Sequence, residues 1–153
     1  MPPVSGEGKP TGTEFSVSSK AYHRLLANAK LGAVHGFAGV IGGMTGGAHG
    51  AICAALLGPV CEANLAHADA RLESRFAHIA ACLTGVYDAT ADDGLHWIEH
   101  TCALLEIPPL SALGLSAADT DSVVGQAARA SSMKGNPVPL SFDELAAVFR
   151  AAL

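Results

Sequence analysis

Charge is scarce in this sequence, and its distribution excludes more than its total. Asp, Glu, Lys and Arg make up 15% of the 153 residues, with nine basic against fourteen acidic side chains and a formal net charge of −5. No cluster of Lys or Arg occurs anywhere, so the electrostatic footprint that a phosphate backbone demands is missing and nucleic acid is not an expected partner. Nowhere do four or more β-branched or aromatic residues alternate between turn signals, which leaves no convincing strand. The four cysteines, Cys53, Cys61, Cys82 and Cys102, form no C-x-x-C pair. That removes zinc ribbons and thioredoxin-type redox motifs, and leaves the expectation of buried small hydrophobes in a reducing compartment. The opening MPPVSGEGKPTGTEF has no apolar core and does not read as a secretory signal. The expected location is the cytoplasm.

A second absence is local. From Leu31 to Cys61 there is no Asp, Glu, Lys or Arg. A run of that length meets the criterion for a membrane span, and Gly39, Gly43 and Gly47 stand at the small-xxx-small spacing of packed membrane helices. Yet the run is mostly Gly and Ala, holds two histidines and ends at Gly58-Pro59. Such low-leucine sequence inserts poorly, whereas it suits a helix pair packed inside a soluble protein. No membrane is therefore expected as a partner.

Half of the residues are apolar, and a chain of this length fits one domain that buries roughly 70% of its unfolded surface. Residues 1–17, rich in Pro and Gly, read as a flexible lead, and residues 18–153 as the domain. Ser18 or Ser19 can cap a helix running towards Leu31-Gly32. Gly42-Gly43 and Gly46-Gly47 bracket Met44-Thr45 and mark a reversal between two short helices, the second ended or kinked by Pro59. A polar helix over about 69–83 follows, with Leu72, Phe76, Ile79, Ala80 and Leu83 on one face and Gly85 as its C-cap. The next helix covers about 93–106, with Ile98, Cys102 and Leu105 on one side, and Pro108-Pro109 stops it. Ser116-x-x-Asp119 and Ser141-x-x-Glu144 are capping boxes, the latter opening a last helix through Leu145, Val148, Phe149 and Leu153. The fold class is all-α, a bundle of six to eight helices.

Seven histidines in an acidic helical domain raise the question of metal. His35 and His49 flank the diglycine pairs, fourteen positions apart. On one unbroken helix they would stand about 21 Å from each other, too far to share an ion that needs nitrogens at about 2.1 Å. A reversal at Gly42–Gly47 sets the two arms side by side, with glycines allowing close approach and both rings at a similar height. Spacing alone leaves two readings open, metal ligands or histidines satisfied in the core and at helix ends. A rival arrangement, His96-Trp97-Ile98-Glu99-His100, matches the H-x-x-E-H pattern of inverted zinc peptidases, in which the Glu is general base. Both of its histidines fall away from the apolar face and no third ligand is evident, so a solvated pair is expected there.

The stretch LGAVHGFAGVIGGMTGGAHGAICAALLGPVCEAN, Leu31 to Asn64, resembles the metal-binding segment of the iron-containing alcohol dehydrogenases, a family that includes maleylacetate reductases and is related to dehydroquinate synthases and glycerol dehydrogenases. Further on, Arg75-Phe76-Ala77-His78-Ile79-Ala80, Ile107-Pro108 and the closing Ser131-Ser132-Met133-Lys134-Gly135-Asn136-Pro137 with Ser141-Phe-Asp-Glu-Leu follow the family's order. The resemblance covers roughly residues 20–153 and implies the family's C-terminal helical domain. It also implies that His35 and His49 are two ligands of a divalent iron, or zinc, that polarises a substrate oxygen for hydride transfer to or from NAD(P).

The chain departs from that pattern. Gly39 stands where the family usually carries a third histidine, and Glu7, Glu14 and His23 do not reproduce the upstream helix that supplies an Asp and a His ligand. A nucleotide-binding domain is not evident. The expectation is thus a partial oxidoreductase, incomplete as an isolated chain, using NAD(P) only if a separate nucleotide-binding polypeptide is supplied. The alternative from another class is a non-catalytic homo-oligomerisation module with relic histidines; a small zinc hydrolase built on His96, Glu99 and His100 ranks behind both.

Overall fold

A single left-handed glycine divides the uncharged stretch in two. In the computed structural model, which describes residues 31–153, helix α1 (Ala33–Thr45) ends at Gly46, whose φ of 69° lies where only glycine sits without strain and whose N–H donates to the Gly42 carbonyl. The Thr45 hydroxyl secures the reversal by donating to the Ile41 carbonyl and accepting from Gly47 N–H. Helix α2 (His49–Leu65) then runs back along α1. The helix expected from Ser18 or Ser19 and the lead over 1–17 lie outside the described residues.

Of the two outcomes expected at Pro59, an end or a kink of α2, the end does not occur; the helix continues to Leu65. A proline inside a helix forfeits the bond to the carbonyl four residues back and crowds it, at about 3 kcal/mol. Leu56 and Val60, on either side of Pro59, and Asn64 one turn on are all buried. This continuous buried face opposes the break. Among the described residues, no helix is long and apolar enough to cross a membrane.

Helices α3 (Ala70–Thr84) and α4 (Ala91–Leu104) form a second antiparallel pair that joins the rest through α4 against α2. Asp69 caps α3 by accepting from Leu72 N–H, and Gly85 closes it in the left-handed region, both at the expected positions. Helix α4 starts two residues before the expected Asp93, because Thr90 and Asp93 form a reciprocal capping box. The pair meets through small residues: a Cβ on Gly94 would lie 2.8 Å from that of Ala80. With the contact line there, Ile79 and Leu105, expected on apolar faces, remain 53% and 65% exposed. The C-terminus of α4 closes with bonds from Glu106 N–H to Ala103 and from Ile107 N–H to Cys102, Glu106 taking the left-handed φ of 51°.

Two short 3₁₀ turns, Leu110–Leu113 and Ala117–Asp119, lead into α5 (Thr120–Ala127). A third, Ser131–Gly135, precedes α6 (Phe142–Ala151), which opens with the expected Ser141/Glu144 box. The core is contributed by Phe37 and Ile41 of α1, Ile52, Leu56 and Val60 of α2, Val123, Val124 and Ala127 of α5, and Leu145, Val148 and Phe149 of α6. Phe37 and Phe149 stack with ring centroids 6.5 Å apart, joining the first described helix to the last.

A half-buried amide borders this core. Asn136 accepts from Ala33 N–H at 3.0 Å, donates to the side-chain oxygen of buried Asn64 at 2.6 Å and to the Val138 carbonyl at 2.9 Å. Three separate elements are fastened by one amide: the start of α1, the end of α2 and the segment before α6. The backbone of Gly32 fits against this amide, since a Cβ there would meet Asn136 Oδ1 at 2.9 Å.

Candidate metal centre

His35 lies in the first turn of α1 and His49 is the first residue of α2, so the reversal at Gly46 brings them face to face. Their ring centroids are 5.3 Å apart, with the planes tilted by 54°. The glycines work differently from the sequence expectation. Gly39 and Gly43 face open space rather than the opposing arm, and the close approaches are made by Gly36, against Met133, and Gly47, against Leu113. The hairpin is held by Phe37 and Ile41 on Ile52 and Leu56, and the histidines sit at its outer edge, His35 half-buried and His49 exposed.

A third donor completes the group. Cys53 follows His49 by one turn of α2, which places both on one face, and its Sγ is 3.5 Å from His49 Nε2. One ligand atom from each of His35, His49 and Cys53 can be chosen so that all three lie within 4.8 Å of one another. Burial pushes the Cys53 thiol above its ordinary range, as it does that of Cys61. The cysteines are not the buried hydrophobes expected: Cys53, Cys61 and Cys102 are half-buried and Cys82 is exposed. Sequence reasoning missed Cys53, although the spacing H-x-x-x-C from His49 was there to read once a helix begins at that histidine.

The competing arrangement is dispersed. His96, Glu99 and His100 are all exposed on α4, as a solvated pair requires, and no third donor joins them among the described residues. His67 instead pairs with Glu144 in a cleft between α2 and α6 lined also by Pro59 and Glu62. The Glu144 carboxyl is held below its ordinary value chiefly by the Ser141 backbone N–H it accepts from, with His67 a smaller contributor.

The fold and this cluster define a class: an all-helical domain that presents two imidazoles and a thiol at the mouth of a close-packed helical hairpin. Comparison with known proteins identifies the family of the fold. The pattern of the Fe-containing alcohol dehydrogenase family, C-terminal, matches residues 20–153. Alcohol dehydrogenase 4 of Schizosaccharomyces pombe (strain 972 / ATCC 24843) is 35% identical over 127 residues, which is 82% of this chain and 29% of that protein. The crystal structure of a 1,3-propanediol oxidoreductase superposes with a TM-score of 0.72 at 31% identity, covering 87% of this chain and 37% of that one. The chain belongs to the Fe-containing alcohol dehydrogenase family, and its described helices are that family's C-terminal domain. It spans about a third of the length of these relatives.

Proposed function

We propose that this chain is the metal-holding part of an NAD(P)-dependent oxidoreductase acting on an alcohol or carbonyl substrate, with His35 and His49 as ligands of a divalent iron or zinc ion. The observation that carries this reading is the meeting of the two imidazoles across the hairpin, 5.3 Å between centroids. The donor set fits such an ion, because neutral imidazole suits both metals. A divalent cation held there supplies Lewis acidity towards the oxygen of the substrate.

The remaining work falls to the chain itself. The bond from Ala33 N–H to Asn136 fixes the start of the helix that carries the half-buried His35. One turn further along the same face, Gly39 carries no side chain and borders open space. Where the family pattern usually has a third histidine, this chain leaves room for the substrate. Recognition of the nicotinamide cofactor is assigned to a part of the enzyme other than residues 31–153.

Elemental mass spectrometry on the purified chain tests the reading, run in parallel with His35→Ala and His49→Ala. Near one iron or zinc per chain in the wild type, lost from both variants, is the expected result. A wild-type chain that takes up no divalent metal overturns it.

A further inference from the structure

We infer that Cys53 is a third protein ligand of this centre, making it a bis-imidazole, monothiolate site selective for zinc over ferrous iron. The inference rests on the proposed role of His35 and His49 and adds to it a residue and a metal preference. A tetrahedral ion with nitrogen at about 2.1 Å and sulfur at about 2.3 Å holds those two atoms about 3.6 Å from each other. Cys53 Sγ and His49 Nε2 already stand 3.5 Å apart, the edge that such an ion needs. They are carried one helical turn apart on α2, whose buried Ile52 and Leu56 set its rotation, so both side chains leave the same face of the helix. The third donor, on His35, lies within 4.8 Å of the others. It closes the remaining gap of about 1 Å by rotating its ring.

The donor chemistry then decides the metal. Thiolate is a soft ligand that selects zinc, and zinc also exceeds ferrous iron in the general order of divalent affinities. On binding, the Sγ–H bond breaks, its proton passes to solvent, and the sulfur lone pair forms the bond to the ion in place of a water. Nothing is oxidised or reduced. Three donors among the described residues would leave a fourth tetrahedral position for a further ligand or a substrate oxygen, as in catalytic zinc sites.

Cobalt(II) titration of the whole chain separates this inference from the reading on which it rests. A cobalt–thiolate bond produces a sulfur-to-metal charge-transfer absorption in the near ultraviolet, which imidazole ligands do not. The wild type is expected to show that band together with the intense visible absorption of tetrahedral cobalt, and zinc to displace the cobalt where an equal concentration of ferrous iron does not. Cys53→Ser is expected to lose the charge-transfer band, retain the helical circular dichroism, and bind zinc at least about tenfold more weakly, since even outer partners of a metal site are worth 10 to 100-fold. Cys61→Ser and Cys82→Ser are expected to keep the band. Cobalt bound in a histidine-dependent way without a charge-transfer band overturns the role of Cys53 and leaves the histidine site standing. No cobalt bound at all overturns both. Absence of the band from the cobalt-loaded wild type overturns the role of Cys53 without any variant having to fold, and its presence is assigned to Cys53 by the serine variants.

Discussion

At the scale of single residues, Asn136 does more than its position in a loop suggests. Its amide joins the first residue of α1, the buried Asn64 of α2 and its own segment through three hydrogen bonds. Asn136→Ala would leave the Asn64 side chain, 4% exposed, without this partner. An orphaned buried polar group costs about 1 to 3 kcal/mol, so urea denaturation should show a loss near the upper end of that range. Because Ala33 N–H is released at the same time, two residues before His35, zinc affinity should fall in the same variant. Asn64 and Asn136 were both visible in the sequence as members of a family-like pattern, but their pairing was not. Seventy-two positions separate them, and no local spacing rule reports a contact of that range. Cys53 was hidden for the opposite reason: its relation to His49 is purely local, and it becomes meaningful only when α2 is known to begin at the histidine.

Elements show what the sequence made legible and where it misled. Helix starts marked by Ser and an acid three residues on were readable at Ser116 and Ser141, and the same logic at Thr90 and Asp93 explains the early start of α4. The carboxyls of Asp93 and Glu144 are both held below their ordinary values, first by the backbone N–H groups they accept from. A depressed folded value means stability that is present above the unfolded carboxylate value and lost as pH falls through the lowered one. The thermal midpoint should therefore begin to drop once pH passes below about 4. In Glu144→Gln, part of that pH dependence should vanish in melts followed by circular dichroism. Glycine spacing misled because it does not say which face meets a neighbour. Gly94 faces the backbone of Ala80, whereas Gly43 faces nothing within 4 Å. Gly94→Ala should destabilise by about 1 to 3 kcal/mol as α3 and α4 are forced apart. Gly43→Ala should stabilise by about 0.5 to 1 kcal/mol, because it removes backbone freedom from the unfolded chain at no steric cost. A pair of denaturation curves distinguishes the two, and equal effects would show that the helices do not meet at Ala80.

On the scale of the whole molecule, the Phe37–Phe149 stack carries the connection between the hairpin and the last helix. Both rings are fully buried. Phe149→Ala should cost about 3 to 5 kcal/mol, a large share of the 5 to 15 kcal/mol typical of a domain. The expected readout is a steep fall in the thermal midpoint, or loss of the cooperative transition altogether. A fully cooperative melt at the wild-type temperature would show that α6 does not complete the core. The hairpin that presents the histidines has a further consequence, for the order in which the chain folds. All three donors lie between positions 35 and 53, so closing one short loop at Gly46 brings them together, whereas the Asn136 and Phe149 contacts must await the return of distant chain. Local contacts form faster than remote ones. On the proposed ligation, an ion present during refolding would meet its ligands while the tail is still undocked, and would act as a clasp on the nascent hairpin before it is part of any finished site.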